Sequence, residues 1–144
     1  MNPSFANQCS LGAEGLNYSV VPQFIPIGLF WDIENCQVPY NRSAIKLVER
    51  IRQVVVERQY RETEFQVVCD ISKAHKQVID DLNSSQVTVI HISCTAKNAA
   101  DDKIKQLIHR FIETNGYLSA ILVITGISLG SYNFIDSSFD TLFR

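Results

Sequence analysis

An alternation constrains this chain more than any other feature. Four short apolar runs, Ile27–Trp31, Phe65–Cys69, Val87–Ile92 and Ala120–Thr125, are separated by longer stretches with a helical stripe. The stripe is Ile45, Val48, Ile51 and Val55 within Arg42–Gln59, and Val78, Ile79 and Leu82 within Ser72–Asn83. It recurs at Ile104, Leu107, Ile108, Phe111 and Ile112 within Ala99–Thr114. Runs this short, rich in β-branched residues, read as strands; apolar residues three and four apart read as one face of a helix. Strands alternating with helices form βαβ units, so the expected class is α/β, a mostly parallel sheet sandwiched between helices. Ser72 is the expected N-cap of the second helix, and Asn115-Gly116 the stop signal of the third.

Size and composition then bound the answer. A chain of 144 residues is one domain, long enough to bury about two-thirds of its unfolded surface. Its formal net charge of -2 lacks the basic excess of many nucleic-acid binders, but a site built of carboxylates carries local negative charge of its own. The cysteines Cys9, Cys36, Cys69 and Cys94 form no C-x-x-C pair, and the reading is of reduced thiols in a cytoplasmic chain. No apolar stretch approaches the length of a membrane span. Residues 1–25 lack a sustained period and read as a disordered leader, with order beginning at Ile27. Residues 127–144 again lose the pattern, so the expected domain is 26–126.

Sites in parallel α/β sheets lie beyond the carboxyl ends of the strands. Two of the apolar runs end there in an aspartate, Asp32 within Phe30-Trp31-Asp32-Ile33-Glu34-Asn35 and Asp70 within Asp70-Ile71-Ser72. A third aspartate pair, Asp101-Asp102, opens the last helix. Each has an ordinary structural explanation: Asp and Asn favour turns, Asp and Ser cap helices, and acidic residues in a first turn complement the helix dipole. Three carboxylates converging on one sheet edge would repel one another unless a cation joined them. Mg²⁺ or Mn²⁺, which take oxygen ligands, would resolve that repulsion and activate water. His75, His91 and His109 have no ligand spacing, and His91 reads as a hydrogen-bonded structural residue. Phosphate-cradling glycine motifs and a nucleophile elbow are both missing from the sequence. A phosphatase using Asp32 as nucleophile is a further reading, with Glu34 only loosely placed as its acid.

Pro26–Pro39 (P-I-G-L-F-W-D-I-E-N-C-Q-V-P), Val67–Ser72 (V-V-C-D-I-S), Val87–Ile92 (V-T-V-I-H-I) and Thr95–Lys103 (T-A-K-N-A-A-D-D-K) together resemble the NYN domain, a relative of the PIN nucleases. The resemblance implies a PIN-like three-layer α/β/α sandwich and a hydrolase, an endoribonuclease that cuts RNA with Mg²⁺ or Mn²⁺. It implies catalytic Asp32, Asp70 and Asp101, with metal held by Asp32 and Asp101, accessory Asn35 and Asp102, and RNA contacts from Lys97 and Lys103. Related nucleases commonly dimerise, so a homodimer is expected as well. The branch it resembles carries RNA-recognition motifs and LOTUS repeats outside this domain, and is associated with mRNA stability, meiosis, oocyte development and peroxisomes. In one respect the chain departs from the family. A further aspartate normally follows the fourth strand, whereas here Thr125-Gly126 is followed by Ile127, and Asp136 and Asp140 are out of place. The comparison makes 127–144 a divergent ending, of splice or gene-model origin, on a domain without its last elements. The alternative function is then a non-catalytic RNA-binding or regulatory fragment.

Overall fold

The computed structural model describes residues 24–93 and 95–126. The leader up to residue 23, the tail 127–144, and with them Cys9, Cys94, Asp136 and Asp140, lie outside the described residues. The elements follow the order β1 (Ile25–Asp32), α1 (Ala44–Glu57), β2 (Tyr60–Cys69), α2 (Lys76–Ser84), β3 (Thr88–His91), α3 (Ala99–Asn115) and β4 (Ala120–Ile124). The sheet is parallel throughout, in the order β3-β2-β1-β4. The chain therefore steps outward from β1 to β3 and returns through α3 to the other side of β1. That reversal makes the carboxyl end of β1 the switch point of the sheet.

Side-chain alternation sorts β1 between two cores. Ile27, Leu29 and Trp31 join Val48, Ile51 and Val55 of α1 and Leu82 of α2 in one cluster. Phe30 joins Ala100, Ile104, Ile108 and Phe111 of α3, with Val68 and Val123, in the other. The result is a three-layer α/β/α sandwich, as the strand–helix alternation requires. α3 approaches closely at Gly28: a Cβ there would lie 2.9 Å from the rings of both Phe111 and Phe30. Phe111 meets Phe30 edge-on, ring centroids 5.8 Å apart.

Two strands are longer than their apolar runs. β1 begins at Ile25, two residues before the expected onset of order, because Ile25 and Pro26 pair with Tyr60 and Arg61. β2 gains the polar segment Tyr60–Glu64, which holds no apolar run. Its register slips by one residue between Ile27 and Gly28, leaving Thr63 as the extra residue of a bulge. The Thr63 hydroxyl donates to the Ile27 carbonyl at 3.0 Å and satisfies it. Arg52 of α1 holds the same segment, with Nε and Nη2 donating to the two Glu62 carboxylate oxygens at 2.8 and 2.9 Å. Arg52 Nη1 also donates to the Ser85 carbonyl at the end of α2.

The expected N-cap at Ser72 is wrong. The carbonyl of Asp70 accepts from the amides of Lys73 and Ala74, making a separate turn, and the Ser72 hydroxyl donates to Asp70 Oδ1 at 2.5 Å. The helix starts only at Lys76, capped by His75, whose Nδ1 accepts from the Gln77 amide at 3.3 Å. The first helix likewise starts at Ala44 rather than Arg42, since Ser43 is its cap.

Candidate functional site

All four strands point their carboxyl ends the same way, and Asp32 is the last residue of β1. It is completely buried. A buried carboxylate needs hydrogen bonds, and the loop it opens supplies them. Oδ1 accepts from the Glu34 and Asn35 amides, both at 3.1 Å, and Oδ2 accepts from the Asn35 side-chain amide at 2.6 Å. The Asp32 carbonyl takes the Cys36 amide at 2.9 Å, and Trp31 Nε1 donates to the Cys36 carbonyl at 2.7 Å. Asn35 thus orients the Asp32 carboxylate directly.

Asp70 follows β2 and is also buried, 6% exposed. Its Oδ1 takes the Ser72 amide and hydroxyl, and Lys73 Nζ stands 3.6 Å from its Oδ2. Its own amide donates to Glu34 Oε1 at 2.9 Å, so the loops after β1 and β2 are tied together. Between these loops opens a cleft of about 490 Å³, its polar rim including Glu34, Gln37, Asp70, Lys73 and His75. Ile33, Val38, Cys69 and Val78 form the apolar part. Burial, followed by the negative charges of Glu34 and Asp70, pushes the Cys69 thiol up to about 11. Cys36 is raised too, by burial and then by Asp32, so both thiols stay protonated at neutral pH.

Asp101 and Asp102 lie in the first turn of α3. The end of α3 packs over Gly28 near the start of β1, so its first turn stands at the carboxyl edge. Asp101 Oδ1 is buried without a hydrogen-bond partner, while Asp102 is exposed, 3.9 Å from Lys105. Alternation along β1 puts Asp32 on the same face as Phe30, which is the α3 side. Asp70, one residue past β2, is among the residues lining the cleft that Val78 of α2 borders. Among the described residues no three His, Cys, Asp or Glu side chains are grouped closely enough to hold a metal ion. Lys97 is exposed in the turn before α3 and Lys103 is half-buried on it.

Two further residues emerge from the structure. Glu34, a minor candidate by sequence, bridges two loops through a contact across 36 positions. Gly126, following β4, comes so close to the Asp32 loop that a Cβ would strike the Asn35 carbonyl oxygen. No local pattern announces either contact. His91 has the structural part expected of it, its Nδ1 accepting from the Ile71 amide at 3.2 Å.

Comparison with known proteins adds a second line of argument. Residues 26–135 match the sequence model of the NYN domain. The chain is 53% identical over 100 residues to "Meiosis regulator and mRNA stability factor 1" of Xenopus tropicalis. It is 51% identical over 106 residues to the protein of that name in Gallus gallus, and 54% over 100 residues to that of Mus musculus. These matches cover 69%, 74% and 69% of this chain but only 6% of each relative, so the likeness is to one domain of far longer proteins. The parallel β3-β2-β1-β4 sheet, its two helical layers and the family match over most of the chain agree: this chain belongs to the NYN domain family.

Proposed function

We propose that this domain is a metal-dependent endoribonuclease that cleaves RNA phosphodiesters by attack of water, within a regulator of mRNA stability. The observation that carries the reading is the Asp101 carboxylate, whose Oδ1 is buried without a partner at the sheet edge where Asp32 ends β1. A buried acceptor without a donor costs about 1–3 kcal/mol, and a cation or its water offsets that cost. The donor set suits Mg²⁺ or Mn²⁺, since Mg²⁺ commonly uses one or two protein carboxylates, waters and substrate phosphate oxygens. Asp32 and Asp101 would hold the ion, which when bound supplies a water of lowered pKa and charge for the phosphodiester. Asn35 fixes the Asp32 carboxylate, and Asp70 contributes negative charge from the neighbouring strand end. Lys97 and Lys103 flank the start of α3, where phosphate contacts would fix the register of the strand. The names of the relatives support RNA as the substrate class.

Cleavage of a single-stranded RNA in Mn²⁺ tests this, comparing the parent chain with Asp32→Asn and Asp101→Asn. Loss of cleavage in both variants, with amide spectra showing an intact fold, is the expected result. Variants as active as the parent, or an inactive parent, overturn the catalytic assignment.

A second reading, RNA binding without cleavage, is favoured by one observation: no three potential metal donors are grouped among the described residues. The aspartate missing after Thr125 points the same way. An inactive parent that still binds RNA, equally well with and without Mn²⁺, is the outcome this reading predicts. Cytoplasmic or peroxisomal residence and homodimerisation belong to the proposal through family likeness alone.

A further inference from the structure

The cleft between the β1 and β2 loops lies on the α1/α2 side of the sheet, whereas Asp32 and Asp101 belong to the α3 side. The carboxylate chemistry proposed above makes no use of most of its lining. At about 490 Å³ it falls within the usual range for pockets that take small organic ligands. Its construction is specific. Ile33 and Val38 come from the loop after β1, and Ala74 and Val78 from the turn and helix after β2, so aliphatic side chains enter it from both loops. Gln37 and Glu34 add an amide and a carboxylate, and Lys73 and His75 add a cation and an imidazole. His75 Nδ1 is already an acceptor for the Gln77 amide, which leaves the proton of the neutral ring on Nε2 as a donor.

We infer that this cleft is a nucleobase pocket, receiving one base of the RNA strand between the aliphatic walls with its phosphate at Lys73 and His75. The inference rests on RNA being the substrate class. Aliphatic walls suit a planar aromatic ring, and a cation with an N–H donor suits a phosphate. The two carboxylates of the cleft, Glu34 and Asp70, set the base preference. They favour an edge that offers N–H groups, as guanine does at N1 and N2, and they repel the two carbonyls that flank N3–H of uracil.

Titration of the full chain with guanosine, uridine and their 5′-monophosphates, followed by amide NMR shifts without divalent metal, tests it. Saturable shifts should appear at Gln37 and at Lys73–His75, with guanosine 5′-monophosphate binding roughly tenfold tighter than the uridine nucleotide. His75→Ala should weaken the monophosphate and leave the nucleoside unchanged, whereas Gln37→Ala should weaken both. Val78→Trp, which fills the cleft, should abolish the shifts; Ala74→Met, on an exposed turn, does the same job if the tryptophan variant fails to fold. Shifts that survive both fillings, equal binding of guanosine and uridine nucleotides, or no saturable shift overturn the pocket. Cleavage is not read in this experiment. An inactive chain that binds guanosine nucleotide removes only the nuclease reading, and an active chain that does not bind it removes only the pocket.

Discussion

The amide of Asp70 donates to the carboxylate of Glu34 at 2.9 Å, joining the residue after β2 to the loop after β1. Trp31 and Asp32 pair with Val67 and Val68 in the parallel ladder, so this bond extends the pairing past the strand ends by means of a side chain. It holds the two loops that form the cleft in one geometry.

Replacing Glu34 should show what that bond contributes. Glu34→Ala removes the acceptor of a buried amide and is expected to cost about 1–2 kcal/mol. Glu34→Gln keeps an acceptor oxygen and should recover most of that loss. Urea unfolding midpoints of the three proteins are the measurement, with unchanged m-values showing that stability alone has moved.

Gly126 should resist even a methyl group. A Cβ would press on the Asn35 carbonyl, which is backbone and cannot rotate away, so the Asp32–Cys36 loop must shift. Gly126→Ala is expected to move the amide resonances of Asn35 and Cys36 and to lower stability by about 1–3 kcal/mol. Gly28→Ala should cost a similar amount, again about 1–3 kcal/mol, through the Phe30 and Phe111 rings, while leaving the loop resonances in place. Identical spectral changes in the two variants would contradict this.

Arg52 spans three elements: its fork grips Glu62, its Nη1 reaches the Ser85 carbonyl, and its guanidinium lies 5.7 Å from the Phe65 ring centroid. The Glu62 hydrogen bonds hold its pKa above the ordinary arginine value. Lysine keeps the charge but cannot form the fork or reach both partners. Arg52→Lys should therefore lose about 1 kcal/mol or more in thermal unfolding, nearly as much as Arg52→Ala. Full stability in the lysine variant would reduce the contact to a charge interaction.

Cys69 predicts an alkaline limit to stability. Its folded pKa, about 11, lies above the ordinary thiol value of 9.0, so the folded chain holds a proton that the unfolded chain has released. This contribution is complete below pH 9.0 and is lost as pH rises through about 11. The full shift corresponds to roughly 3 kcal/mol. Unfolding free energies of the parent and Cys69→Ala between pH 8 and 11 should converge with rising pH. At neutral pH, alkylation of Cys69 and Cys36 in the folded chain should be slow beside that of a free thiol.

Much of the fold was legible because the signals that specify it are local. Four β-branched runs and three stripes gave every described element its type, and the family motifs quoted from the sequence fall on β1, β2, β3 and the start of α3. Failures came where a particular partner, distant or close by, overrides local preference. Tyr60–Glu64 is strand because β1 and Arg52 hold it there. Ser72 looks like a helix cap, but Asp70, two residues before it, captures its hydroxyl.

The candidate site divides in the same way. Sequence by itself determined the α/β class, the family, and that Asp32, Asp70 and Asp101 arrive where strands end or a helix begins. Only tertiary structure decided that Asp32 faces the α3 layer, that Asp70 lines a cleft that Val78 of α2 borders, and that Glu34 joins their loops. Periodicity acts over a few residues and so can be read along a chain. Which layer a carboxylate meets depends instead on strand order and on side-chain alternation, which bring elements distant in the chain, such as β1 and α3, together at one sheet.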